Sequence, residues 1–265
     1  MKNKDIEDFN NKIYPPLGRC MYCGSSKELS NEHIIPYGLS GKTVLPKSTC
    51  SSCATITSQF EQKVLRGPMR NVRILRKLRS RTKYKDAPKK YELRVEKGNK
   101  EKIIYLPINE YPIILFFPRY SPPAFFNPKE YKKGINMIGS DTISFGSRPE
   151  EAGKKLGVDR LIITHEYFPH AFARMIAKIA YSFAVAENEI KLIKGPLFPV
   201  KSILGKKDDI GKWVGTLTDP PKKNKGLLHR ISLNKDKNKG LLIGEVQLFA
   251  DSSAPSYGVI LGKLK

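Results

Sequence analysis

All four cysteines of this chain fall in two pairs, Cys20-Met-Tyr-Cys23 and Cys50-Ser-Ser-Cys53. Each Cys-x-x-Cys turn presents two thiolates on one knuckle, and two knuckles close a tetrahedral S4 site. Four soft thiolates with no histidine or carboxylate among them favour zinc in a structural role. Such a site leaves no coordination position for water, so this metal holds the fold and does no chemistry. The constraint on folding is severe, because residues 20 and 53 must meet and enclose everything between them. The opening residues Met1–Asn10 have no apolar core and so do not read as a secretory signal. No apolar run approaches the roughly 20 residues that span a bilayer. The expectation is a cytoplasmic protein with no membrane partner, where paired cysteines hold metal in preference to forming disulfides.

The charge balance points to a polyanion. Lys and Arg number 48 against 25 Asp and Glu, giving a formal charge of +23 and a pI near 9.8. Neutralising phosphates releases counterions, so nucleic acid is the first partner to expect, with a generally lysine-rich surface as the plain alternative. From Gln62 to Lys85 there is no acidic residue. Within that run Lys63, Arg66, Arg70, Arg73, Arg76 and Lys77 are the candidate phosphate contacts. Hydrophobic residues make up 40%, which supports a globular chain rather than a disordered one.

Helix and strand signals alternate along the chain, and the expected class is α+β. Residues 1–66 read as a compact cysteine-containing module, 67–90 as a basic helix and linker, and 91–265 as an α+β accessory region. In the first part, Leu29–Ile35 predicts a short strand ended by Pro36, and Thr57–Leu65 predicts a helix. Gly67-Pro68 breaks that helix and starts a second one. Its apolar face would be Met69, Val72, Leu75 and Leu78, and its other face would be basic. Further on, Tyr91–Val95 and Lys102–Leu106 flank Gly98-Asn99 as a hairpin. Ile113–Phe117 predicts a buried strand, His170–Val185 a long buried helix, Leu227–Leu233 with Leu241–Phe249 a second hairpin, and Tyr257–Leu261 a last strand. The segment from Phe126 to Arg160 has no clear pattern. His165 and His170 suit capping or core roles, and Trp213 suits core packing.

The stretch between the knuckles reads Leu-Ser-Asn-Glu32-His33-Ile-Ile-Pro36. Cys-x-x-Cys, Glu-His-Ile-Ile-Pro, Gly, Cys-x-x-Cys and then a helix together resemble the zinc-stapled branch of the HNH endonucleases, over about residues 17–66. That resemblance implies a ββα-metal fold and hydrolysis of phosphodiester bonds in DNA, leaving 5′-phosphate and 3′-hydroxyl ends. It implies that His33 is the general base, a role that suits an imidazole with an ordinary pKa near 6.5. It also implies that Glu32 is a ligand of one Mg2+ or Mn2+ ion, hard cations that prefer oxygen donors. Alternation along a strand would send Glu32 and His33 to opposite sides, so the dipeptide should lie at a strand end or a bulge.

One position departs from the family pattern. Where an asparagine or histidine usually follows the last cysteine and completes the metal site, this chain has Ala54. Thr57 and Glu61, four apart on one helix face, are the candidate replacements, with Glu61 the better because it restores a charged oxygen; Thr55, Ser58 and Asn31 lie nearby. The resulting expectation is a DNA endonuclease with structural zinc and a one-metal active site, in a setting such as bacterial defence or restriction. Assembly with a second copy or a defence-complex partner is left open. The rival expectation is a zinc-stapled nucleic-acid-binding or scaffold protein without catalysis, for which Ala54 is the best argument.

Overall fold

The computed structural model describes residues 12–131, 133–218 and 226–265, so the opening segment Met1–Asn10 lies outside the described residues. Strand β1 (Leu29–His33) pairs antiparallel with β2 (Val44–Cys50), and helix α1 (Ser51–Arg66) follows β2 with no intervening loop. A 3-10 turn at Tyr37–Leu39 joins the strands. Gly41 closes this connection because a Cβ there would fall 1.9 Å from the Ile35 carbonyl oxygen, a space no side chain can enter. Helix α1 begins six residues before the predicted start and buries Cys53, Thr57, Phe60, Val64 and Leu65.

Helix α2 (Arg70–Leu75) is shorter than the basic helix expected from the sequence. Met69, Val72 and Leu78 are buried as expected, but the chain turns at Arg76 and Lys77 takes a positive φ of 51°. Strands β3 (Tyr91–Lys97) and β4 (Lys100–Leu106) form the predicted hairpin, with Gly98 and Asn99 both at positive φ in the two-residue turn. Strand β5 (Pro112–Tyr120) pairs with β6 (Met137–Gly146), which occupies the segment that carried no clear pattern. Helix α3 (Pro149–Leu156) and β7 (Arg160–Ile162) follow, with β7 on the free side of β3.

Helix α4 (Pro169–Ala186) is the centre of the molecule. It starts on a proline, which suits a first turn, and its apolar residues surround the axis. After β8 (Ile193–Lys194), α5 (Val200–Ile203) and β9 (Val214–Thr216) come β10 (His229–Asp236), β11 (Leu241–Leu248) and β12 (Ser256–Leu264). The last three form an antiparallel sheet in chain order, with β8 and β9 both paired to β12. One side of α4 packs on this sheet and another on α1. Gly244 of β11 lets helix and sheet touch: a Cβ there would lie 2.7 Å from the Ala180 Cβ.

One hydrophobic cluster therefore runs from Tyr14 and Cys20 through α4 to Leu261. The boundary expected at residue 66 passes through a continuous core, because α4 covers the face that α1 would otherwise expose. Tyr91, Leu93 and Val95 are buried apart from it, under the β4–β3–β7 sheet. Among the described residues no helix is long and apolar enough to cross a membrane.

Candidate metal centre and candidate active site

The four cysteines converge. Their Sγ atoms all lie within 4.8 Å of one another, and those of Cys23 and Cys50 are 3.6 Å apart. A disulfide would need about 2.05 Å, whereas the edge of a tetrahedron with Zn–S bonds of about 2.3 Å is about 3.8 Å. The spacing is that of a metal site. The first knuckle is held by Gly24 N–H donating to the Cys20 carbonyl at 2.8 Å and by Met21 N–H donating to Ser48 of β2 at 2.8 Å. The second knuckle is the junction of β2 and α1, with Cys50 as the residue before the helix and Cys53 in its first turn. Helix propagation thus fixes the geometry of the second pair. Cys20, Cys50 and Cys53 are buried and Cys23 is exposed. These residues fit a structural zinc ion.

Glu32 and His33 occupy the end of β1, and the pairing register shifts between Ser30 and Glu32. The expectation was a strand end or a bulge, so that both side chains could face one phosphate; the dipeptide does lie at the strand end. The two side chains then go to different surroundings. Glu32 is buried, accepts a hydrogen bond from the Thr49 hydroxyl at 2.9 Å, and ion-pairs with the Lys178 ammonium. His33 stacks on Tyr37, with ring centroids 5.4 Å apart, and its Nδ1 is buried without a hydrogen-bond partner. Burial, reinforced by the Lys178 charge, keeps the imidazole below its ordinary pKa; Arg81 and Arg79 act in the same direction. His33 is therefore neutral near pH 7 and able to accept a proton.

Glu61 does come beside Glu32, as its place on α1 led us to expect, but an ammonium lies between them. Lys178 Nζ is 3.0 Å from Glu61 and also donates to the His33 carbonyl at 2.7 Å. Its side chain is 1% exposed. Burial alone would push this ammonium down, but Glu32 and Glu61 outweigh it and hold the pKa above the ordinary lysine value. Glu61 is raised by burial, against the pull of Lys178, and Glu32 adds to the rise. Thr57 is buried, and its hydroxyl donates to the Ala54 carbonyl at 3.2 Å, a local bond inside the helix. Among the described residues, the four cysteines are the one group of histidine, cysteine and acidic side chains close enough to hold a metal ion. The Glu32–Glu61 set, as arranged here, does not fit a divalent ion.

A cleft of about 500 Å³ opens beside this cluster. Tyr37, Ser58 and Glu61 line it on one side, with Arg66, Arg70, Arg73, Arg79 and Arg81 around it. Arg66, Arg79 and Arg81 are exposed, and Arg79 lies over the Tyr37 ring at 5.6 Å. Arg70 is paired within the cleft with Asp86, at 3.2 Å from its carboxylate and 3.1 Å from its carbonyl, and two more of the expected phosphate contacts are committed elsewhere. Arg73 is buried and donates to the carbonyls of Gly38 and Leu65, each at 2.7 Å, closing the open end of α1. Arg76 makes a paired contact with Asp251 and packs over Phe145 and Phe249. Both arginines have partners on distant segments that the sequence pattern could not reveal. Lys63 and Lys77 are exposed but do not line the cleft.

The residues missed by sequence reading are Lys178, Thr49 and Tyr37, along with the separate importance of Arg79 and Arg81. A signal for Lys178 was present. Arg174 and Lys178 are the one arginine and the one lysine of a mostly apolar helix, four apart on one face. Both meet α1, Arg174 over the Phe60 ring at 4.7 Å and Lys178 at Glu61. The arrangement is thus a zinc-type knuckle pair holding a neutral histidine near an arginine-lined cleft. No protein-family model, curated protein or solved structure matches this chain.

Proposed function

We propose that this chain binds nucleic acid in the arginine-lined cleft and hydrolyses a phosphodiester bond there, with His33 as general base. DNA is the favoured substrate. The observation that carries the reading is His33, held neutral by burial at the end of β1 and stacked on a cleft-wall tyrosine. The strand–strand–helix order around four clustered cysteines supports it, being the arrangement the HNH resemblance implies. In this mechanism His33 takes a proton from water as the water oxygen bonds to phosphorus. The bond to the 3′ oxygen breaks, and that oxygen takes a proton from solvent. Arg79 and Arg81 offset the charge that builds on the phosphoryl oxygens, and Arg66 holds the flanking backbone.

The test is nicking of supercoiled plasmid by the zinc-loaded protein. His33→Ala should lower the rate by 10²-fold or more, in line with loss of a general base at roughly 10²–10⁴. The acidic limb of the wild-type pH–rate profile should have its midpoint below about 6.5, since the free base is the active form. Equal rates in the two proteins would sink the mechanism.

One observation favours a second reading, a binding module without catalysis: Lys178 lies where the resemblance places a divalent ion. On that reading neither protein nicks DNA, while both bind it with an affinity that falls steeply with salt. Each cleft arginine that contacts a phosphate would contribute about 0.9 to the log–log slope.

A further inference from the structure

We infer that Lys178 is the built-in cation of this site, standing in place of a divalent metal between Glu32 and Glu61. The inference rests on the proposed phosphodiester chemistry only where it speaks of cleavage; its statement about cation binding stands on the geometry.

The argument starts from the cost of burial. An ammonium and two carboxylates removed from water are each unfavourable unless their hydrogen-bonding capacity is met. Here the charges are paired: the Lys178 ammonium donates to the His33 carbonyl at 2.7 Å and lies in ion-pair contact with Glu32 and, at 3.0 Å, with Glu61. Glu32 takes a further bond from Thr49. The partners come from the end of β1 and the middle of α1. The cation arrives on α4, where the adjacent Ile176, Ala177, Ile179 and Ala180 are all buried and apolar. A hard cation prefers these same oxygens, so the ammonium and a divalent ion compete for one position.

Two consequences follow. First, the folded protein has no vacant oxygen site for Mg2+ or Mn2+ at Glu32 and Glu61. Second, Lys178 is a positioning residue: it is shielded from the cleft and acts through His33, whose carbonyl it fixes, and through Glu61 in the cleft wall. Cleavage in this site then relies on His33 and the cleft arginines and needs no added divalent ion.

Mn2+ binding, followed by loss of the free-ion electron paramagnetic resonance signal, tests the inference on the full-length zinc-loaded protein. Wild type should show no stoichiometric Mn2+ site, whereas Lys178→Ala should gain one, with binding at least about ten-fold tighter than wild type. Glu32→Gln in the Lys178→Ala background should remove it. A stoichiometric wild-type Mn2+ site that Glu32→Gln abolishes would overturn the inference without any variant of Lys178. So would a Lys178→Ala protein with native near-ultraviolet circular dichroism and no Mn2+ site. Nicking by wild type should persist in EDTA while zinc analysis still returns one ion per chain. Loss of nicking with zinc retained, restored by Mg2+, would overturn it as well. Absence of nicking under all conditions would reject the proposed function, and the Mn2+ titration would still decide the inference.

Discussion

Among the described residues, potential cation ligands converge around a point in two places, and the molecule meets the two cases in different ways. At the knuckles, four thiol groups from β2, α1 and the preceding turn converge with no basic side chain among them, a set that calls for a metal. At the end of β1, two carboxylates converge and the chain supplies its own cation from α4. Soft sulfur ligands on short, local turns recruit an ion from outside. Hard oxygen ligands facing a packed helix can be served by a lysine, provided that helix is anchored firmly enough to place one ammonium within hydrogen-bond distance of three oxygens. The first cluster is local in sequence and the second is not. That difference decides how each responds to mutation and how visible each is to a reader of the sequence.

The comparison can be broken most severely at the cysteines. Cys53→Ser should lose the zinc ion and unfold the N-terminal part of the chain, since structural zinc in small sites is worth about 10 kcal/mol or more. Zinc content and the cooperativity of urea unfolding measure this. Retention of zinc with an unchanged unfolding midpoint would show that the thiols hold nothing.

A smaller effect is expected at the second cluster. Lys178→Met leaves the buried Glu32 and the half-buried Glu61 without a cation and should cost about 3–5 kcal/mol. Combining it with Glu61→Leu should cost much less than the sum of the two single changes, because the removed groups are partners. Additive losses in such a cycle would mean that Lys178 and Glu61 do not interact, and the parallel with the metal cluster would fail.

The smallest effect comes from a buried titratable group served by neither cation. His229 Nδ1 accepts the Phe249 N–H at 3.1 Å, so Nε2 carries the proton and donates to the Leu39 carbonyl at 2.8 Å. A second proton would have to displace Phe249, and burial pushes the pKa of His229 down to about 4. The unfolded histidine, near 6.5, binds its proton first, so this contribution is full above about pH 6.5 and is lost as pH falls toward about 4. The loss should reach about 3 kcal/mol, read as a fall in urea midpoint, and His229→Gln should flatten the dependence over that window. An equally steep fall in the variant would assign the acid sensitivity to one of the two anionic clusters instead.

Local signals were legible in the sequence and distant ones were not. Gly98-Asn99, the repeating apolar residues of α4 and the two Cys-x-x-Cys pairs each encode structure within a few residues, and each reappears in the fold. The place of Glu32 and His33 at the end of β1 was one of the two arrangements the sequence offered. Arg73 and Arg76 misled because their spacing matches a solvated basic face. Their actual partners, the Gly38 carbonyl and Asp251, lie on other segments. Strand β6 gave no signal because most of it is only half-buried or exposed, so no apolar alternation marks it.

The sequence by itself determined that residues 20–53 must close on themselves, that α4 must be buried, and that the chain as a whole carries an excess of positive charge. These follow from short-range periodicity, ligand chemistry and composition. Only the tertiary structure decided which positive charges face the cleft and which face the core, and what lies between Glu32 and Glu61. A charged residue's role depends on the oxygens within about 3 Å of it. In this protein the decisive oxygens for Lys178 lie on β1 and α1, on the far side of the chain from α4 in sequence and beside it in the core.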